Sequence, residues 1–341
     1  MARRLLLCAA LLALSPAAVA AAKKPASWAL PQIEAVTAQG LMGSNDPATF
    51  RPDDPLTRQA AANLVAALTG QEPPAAVPSP DAPVSLAALD SKLVLGLGLG
   101  DASSTFAASA RAAGLVVPGR FGTEVVARLL GLRTNHPAAQ DDLELLPTDP
   151  ATRAEAAFSA AQILEFSDWQ LDSARGAAAS FVLPALTPWQ KRILRTAFSL
   201  VGYPYVWGGT SEHAEAPAGV QARGGFDCSG FVWRVYKLQA YPNERRLAAV
   251  LRGRTTFQMS GEVANKLRIS STAKLQPGDV LFFGAKGPKS KPAQVDHAGV
   301  YVGNGWFVHS SEYGVALAQL QGWYADRFAW ARRPLAEAGL Q

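Results

Sequence analysis

The residues of this chain best suited to chemistry are one cysteine and two histidines. Of its two cysteines, Cys8 lies in an apolar N-terminal run, and Cys228 sits in Gly224-Gly225-Phe226-Asp227-Cys228-Ser229-Gly230. An exported chain that uses cysteine for stability uses it in pairs, so a single thiol invites a reactive reading. The alternative is a buried thiol packed as a small hydrophobe. Phe231, Val232, Val235 and Leu238 follow at the spacing of a helix with one buried face, which places Cys228 at a helix N-terminus. Free N–H groups and the helix dipole there favour the thiolate and predict a pKa below the ordinary value of about 8.5. A thiolate at neutral pH still calls for a nearby imidazole.

Two of the four histidines stand in adjacent strand patterns, Asp296-His297-Ala298-Gly299-Val300-Tyr301-Val302 and Trp306-Phe307-Val308-His309-Ser310, around the hairpin signal Gly303-Asn304-Gly305. Loop length decides whether they meet. A two-residue loop puts His309 opposite Val300, on the wrong face; a three-residue loop puts it opposite Gly299, on the face of His297 and diagonal to it. Gly299 has no side chain and leaves room for an imidazole–imidazole hydrogen bond. We therefore expect the three-residue loop, with Cys228 as nucleophile, His297 as base and His309 as the orienting residue. A zinc site built from the same three residues is the other chemistry available, but the close-spaced ligand pairs of zinc sites are missing, and no metal or other cofactor is expected.

Several elements must position these groups. Thr187-Pro188-Trp189 opens a helix whose apolar face runs through Ile193, Leu194, Ala197, Leu200 and Val201 to Gly202. The loop Tyr203-Pro204-Tyr205-Val206-Trp207-Gly208-Gly209 follows, with Trp207 expected in the core. Leu275-Gln276-Pro277-Gly278-Asp279 turns into the strand Val280-Leu281-Phe282-Phe283, and Arg245, Arg246, Arg252 and Arg254 cluster between the cysteine helix and this strand. Residues 187–335 resemble the NlpC family of cell-wall cysteine peptidases in the stretches 202–209, 226–232, 277–280, 297–301 and 309–310. That resemblance implies an α+β papain-like domain, with a Cys-bearing helix packed on an antiparallel sheet. It also implies hydrolysis of peptidoglycan stem peptides, commonly at the bond between γ-D-glutamate and a diamino acid. The Cys228 N–H and the Tyr205 hydroxyl are then candidates to hold the oxyanion, and Asp227 and Ser229 to line the substrate pocket. Asp227 is also a helix cap. The competing readings are a wall-attached binding protein with an inactive papain-like domain, and an amidase or acyltransferase on the same fold.

The front of the chain is different in kind. Arg3 and Arg4, the apolar run Leu5–Leu14 and Ala18-Val19-Ala20 read as a secretory signal over residues 1–20, with no later membrane span. The expected localisation is secreted, in the cell wall or periplasm. Residues 21–186 hold 11 Lys/Arg against 17 Asp/Glu, and residues 187–341 hold 19 against 10. The basic half carries no nucleic-acid motif, so no nucleic-acid partner is expected. Trp28 to Leu68, with Phe50-Arg51-Pro52 and Thr57-Arg58, resembles an S-layer homology repeat, and two echoes are read at 110–130 and 150–164. This predicts a mostly α-helical S-layer-homology-like domain of three degenerate repeats over 28–166, with Gln71–Val84 as an extended connection and 167–186 as a linker. By that resemblance Arg58 and Arg153 are candidates to bind an anionic secondary wall polymer, with Gly122-Thr123-Glu124 standing at the same place in the second repeat.

Overall fold

The computed structural model describes residues 27–242 and 245–340; the expected signal at 1–20 lies outside them. In the front half, helices α1 (Leu30–Ala38), α2 (Arg58–Leu68), α3 (Leu86–Gly96), α4 (Gly100–Ala112), α5 (Phe121–Leu129), α6 (Arg153–Leu164) and α7 (Asp168–Ser180) enclose an apolar core. Three of them begin alike. The hydroxyls of Thr57, Ser85 and Thr152 accept from the N–H groups of Ala60, Ala88 and Glu155, satisfying donors that a helix start leaves unpaired. The extended residues before these caps form a closed ring: Leu56 N–H donates to Ala151 C=O, Ala151 to Val84, and Val84 to Leu56, at 2.7–2.9 Å. Arg58, Leu86 and Arg153 repeat the relation one step on, donating to Ala82, Asp149 and Asp54.

This pseudo-threefold ring corrects the reading of the second repeat. Its turn is Pro80-Asp81-Ala82-Pro83-Val84-Ser85, the counterpart of Pro52-Asp53-Asp54-Pro55-Leu56-Thr57 and Pro147-Thr148-Asp149-Pro150-Ala151-Thr152. Residues 80–84 thus belong to a repeat and not to a connection, Leu86 takes the place of the arginine, and Gly122-Thr123-Glu124 lies inside α5. The stretch expected as a linker is also ordered: α7 buries Ala174 and Ala178, and Phe181 after it is fully buried.

The back half opens with α8 (Pro188–Ser199), whose Thr187–Gln190 capping box matches the expected start. A short hairpin, β1 (Thr210–Ser211) and β2 (Gly225–Phe226), leads into α9 (Cys228–Trp233), and α10 (Arg245–Val250) and α11 (Thr256–Gly261) follow. Strands β3 (Val280–Gly284), β4 (Val295–Gly303), β5 (Trp306–Ser311), β6 (Gly314–Gln319) and β7 (Phe328–Arg332) form one antiparallel sheet in the order β6-β5-β4-β3-β7, with the short helix α12 (Trp323–Arg327) before the last strand. Helix α9 packs against β4 and β5.

The β4–β5 hairpin reaches the expected register by another route. Its tip is the two-residue turn Asn304-Gly305, with φ of 48° and 81°, and a bulge at Val302–Gly303 adds the extra residue. Beyond the bulge Gly299 faces His309, as the three-residue loop required. A Cβ on Gly299 would lie 2.8 Å from the Phe307 ring and 3.1 Å from the His309 Cβ, so this position needs glycine.

The two halves share one buried core. The rings of Phe121 and Phe198 stack at 4.9 Å, and Phe106 and Phe181 pack on Trp306 at the start of β5. Arg120 donates to the carbonyls of Ser199 and Val201, capping the end of α8, and Arg128 donates to Gly202 C=O at 2.6 Å. The Asn304 amide donates to Val182 C=O, so the hairpin tip rests on the chain that leaves the front half. Among the described residues no single helix is long and apolar enough to cross a membrane.

Candidate active site

Helix α9 carries Cys228 at its first position, against β4. The thiol is 8% exposed and lies 3.9 Å from the Asp296 carbonyl oxygen. Burial, with the Asp227 charge adding to it, pushes its pKa up to about 12, although the Ala298 and Ser229 N–H groups favour the thiolate. This reverses the expected direction. The helix terminus does act on the sulfur, but desolvation outweighs it, and the resting group is a thiol.

His297 on β4 and His309 on β5 meet as the register demands, with His297 Nε2 and His309 Nδ1 2.8 Å apart. Burial lowers the His297 pKa to about 4 and holds His309 well below the ordinary value, so both rings are neutral at neutral pH. His309 Nε2 lies 3.5 Å from the Tyr324 hydroxyl on α12. A tyrosine hydroxyl both donates and accepts, so the chain can run in either direction. When His297 Nε2–H donates to His309 Nδ1, His297 Nδ1 is left unprotonated and able to act as a base.

Asp227 has a fuller set of partners than a capping role alone would give. Its carboxylate accepts from the Gly230 N–H at 2.5 Å, the Gly208 N–H at 3.0 Å and the Ser229 hydroxyl at 2.9 Å. Arg254 grips it with both terminal nitrogens at 3.1 Å and also reaches Ser229 Oγ and the carbonyls of Gly208 and Gly209. Arg254, one of the four arginines clustered between the cysteine helix and β3, ties its loop to the start of α9.

Tyr205 is half-buried, and its hydroxyl pKa is raised by burial first and then by the nearby Cys228, Asp227 and Asp141 charges. Asp141 comes from the front half, is buried, and accepts the Trp207 N–H, so the front half helps to place the Tyr205 loop. Trp207 itself is 60% exposed beside this loop, against the expectation of a core residue. Arg58 and Arg153 both belong to the ring of turns in the front half. Arg58 is exposed, with one bond to Pro78 C=O. Arg153 lies over the Phe50 ring at 4.5 Å, donates to the carbonyls of Phe50 and Met42, and lines a groove of about 550 Å³ with Asn45, Asp46, Arg51 and Thr57.

Both halves of the chain match family models. Residues 202–333 match the NlpC/P60 family model, and residues 21–62 match the S-layer homology domain model. The chain is 33% identical over 143 residues to the probable peptidoglycan endopeptidase LytE of Bacillus subtilis, covering 42% of this chain and 34% of that protein. It is 29% identical over 125 residues to a γ-D-glutamyl-L-lysine dipeptidyl-peptidase of the same organism, covering 37% of this chain and 33% of that one. A crystal structure of an NlpC/P60 family protein from Bacillus cereus covers 46% of this chain and 43% of its own, at 26% identity and a TM-score of 0.33. The chain spans between a quarter and about half of the length of the curated relatives it matches. Its front half carries an S-layer homology match, and its back half carries an NlpC/P60 match over residues 202–333.

Proposed function

We propose that this protein is a peptidoglycan hydrolase, a cysteine endopeptidase that cuts stem peptides at the bond between γ-D-glutamate and a diamino acid. The observation that carries the reading is the partly buried polar chain from Tyr324 through His309 to His297 on β4, the strand against which the helix that starts at Cys228 packs. As the substrate carbonyl carbon approaches Sγ, His297 Nδ1 takes the thiol proton and the S–C bond forms. The oxyanion is held by the Cys228 N–H, which has no partner within the helix, and by the Tyr205 hydroxyl. His297, now an imidazolium, gives its proton to the leaving amine as the C–N bond breaks. Water then hydrolyses the thioester, with His297 again the base.

The low His297 pKa makes ionisation in the resting site unfavourable, so proton transfer and attack are coupled. Asp227, Ser229 and Arg254 hold the start of α9 and the Tyr205 loop in register. In this reading the front half binds an anionic secondary wall polymer through the groove at Arg153, and the leader at 1–20 exports the chain to the cell wall or periplasm.

Digestion of purified muropeptides by the protein lacking residues 1–20, beside its Cys228→Ala variant, tests the proposal by mass spectrometry. Peptides cut after D-glutamate by the unsubstituted protein alone are expected. Equal cleavage by both proteins, or by neither, overturns the thiol mechanism.

A further inference from the structure

We propose that Glu312 reads the substrate by pairing with the side-chain ammonium of the residue on the leaving-group side of the cut bond, and that the front half sets its position. The inference rests on the peptidase reading and deepens it. The side is fixed by His297. A group that protonates the leaving nitrogen must lie over that half of the substrate. The cavity beside it, of about 540 Å³, is lined by His297, Ser311, Glu312, Tyr313, Trp323 and Tyr324 and by neither Cys228 nor Tyr205. The residue that follows the scissile bond therefore enters here.

Its walls are aromatic and it holds one carboxylate. Glu312 is exposed, and no cationic side chain pairs with it among the described residues. Arg327, which stacks on one wall of the cavity, is engaged elsewhere: it pairs with Asp296 and lies over the Trp323 ring at 4.6 Å. Glu312 is close enough to the ring wall for its charge to raise the pKa of the Tyr324 and Tyr313 hydroxyls, after burial. The Tyr313 hydroxyl hydrogen-bonds to this carboxylate, and an aromatic channel ending in a carboxylate with no cationic partner fits an alkyl chain that ends in an ammonium. Lysine and diaminopimelate both supply that group; an acetylated or purely aliphatic side chain does not.

The position of Glu312 is set from outside its own sheet. It lies in the turn between β5 and β6, where its carbonyl accepts the Asn135 N–H at 2.7 Å, and Gly131 lies against the ring of Tyr313. Both contacts come from the segment that follows α5, so the front half forms the back of the selectivity pocket while the pocket lining belongs to the back half.

The test uses the protein lacking residues 1–20 and two peptides, L-Ala-γ-D-Glu-L-Lys-D-Ala and the same peptide acetylated at the lysine Nε. The unsubstituted protein should prefer the free amine by about tenfold in kcat/KM, the size of one partly exposed charge-assisted contact. Glu312→Gln should bring the two peptides to within about twofold, by slowing only the free amine. Unchanged cleavage of the acetylated peptide then shows that the catalytic chain is intact. A preference that survives the substitution overturns the role of Glu312 and leaves the peptidase reading standing. No cleavage of either peptide by the unsubstituted protein sinks both.

Discussion

Both halves of this molecule bury ionisable side chains, and they do so in opposite ways. In the front half Asp90, Arg128, Arg133 and Glu155 are nearly inaccessible, yet they are paired. Arg133 bridges Asp90 and Glu155 and also reaches Ser159, while Arg128 lies near both Asp90 and Glu124. In the back half Cys228 and His309 are buried and His297 is partly so; burial and the Asp227 charge outweigh Arg254 at the thiol, and burial outweighs the Asp296 charge near His297. The first arrangement matches carboxyl groups with arginines and fixes helix positions. The second drives its groups to the neutral state, which leaves an acid and a base ready to exchange a proton.

Glu124 lies between these cases. Burial lifts it to about 7 despite Arg128, and it sits against Gly202, where a Cβ would overlap its carboxylate. Gly202 has φ of 99°, a conformation and a close approach that together require glycine. The junction of the two halves is thus built around a carboxyl group that is partly protonated near neutral pH.

Three experiments would break or sharpen the contrast. Replacing Arg133 with methionine leaves Asp90 and Glu155 buried without their partner, and a loss of about 3–5 kcal/mol in unfolding free energy is expected by denaturant titration. A loss below about 1 kcal/mol would mean that the carboxyls neutralise themselves as Glu124 does, and the contrast would be one of degree. The thiol comes next. With its pKa near 12, the thiolate fraction grows tenfold per pH unit, so iodoacetamide labelling of the protein lacking residues 1–20 should speed up about a hundredfold from pH 7 to 9 without levelling off. A plateau below pH 8 would reveal a resting thiolate–imidazolium pair. Smallest is Tyr324→Phe, which removes the far end of the proton chain across a long 3.5 Å contact. It should lower kcat by about fivefold at unchanged KM. A change in KM alone would make Tyr324 only a wall of the pocket.

Much of the site was legible because it depends on local rules. Side-chain alternation along a strand allows only one register in which His297 and His309 share a face, and a bulge satisfied it in place of a longer loop. The second repeat was misplaced because helix composition drew attention to Glu124, whereas the recurring unit is the Pro-Asp-Xaa-Pro turn before each cap, carried on at the third repeat as Pro-Thr-Asp-Pro. The helix within 168–180 carries few large apolar residues, and its small buried face packs on α4, far earlier in the chain, which local spacing does not reveal. Arg254, Tyr324, Asp141 and Glu312 carried no local signal either, since each acts on a partner far away in the chain.

By itself, then, the sequence determined the thiol at a helix start, the histidine pair, the helix caps and the two-part organisation, because capping, alternation and helical spacing act within a few residues. Only the tertiary structure decided the burial of the thiol, the ring of three turns and the hold of the front half on Glu312 and the Tyr205 loop. Those outcomes depend on how far each group is removed from water and on which distant element arrives beside it, and neither quantity is carried by local spacing.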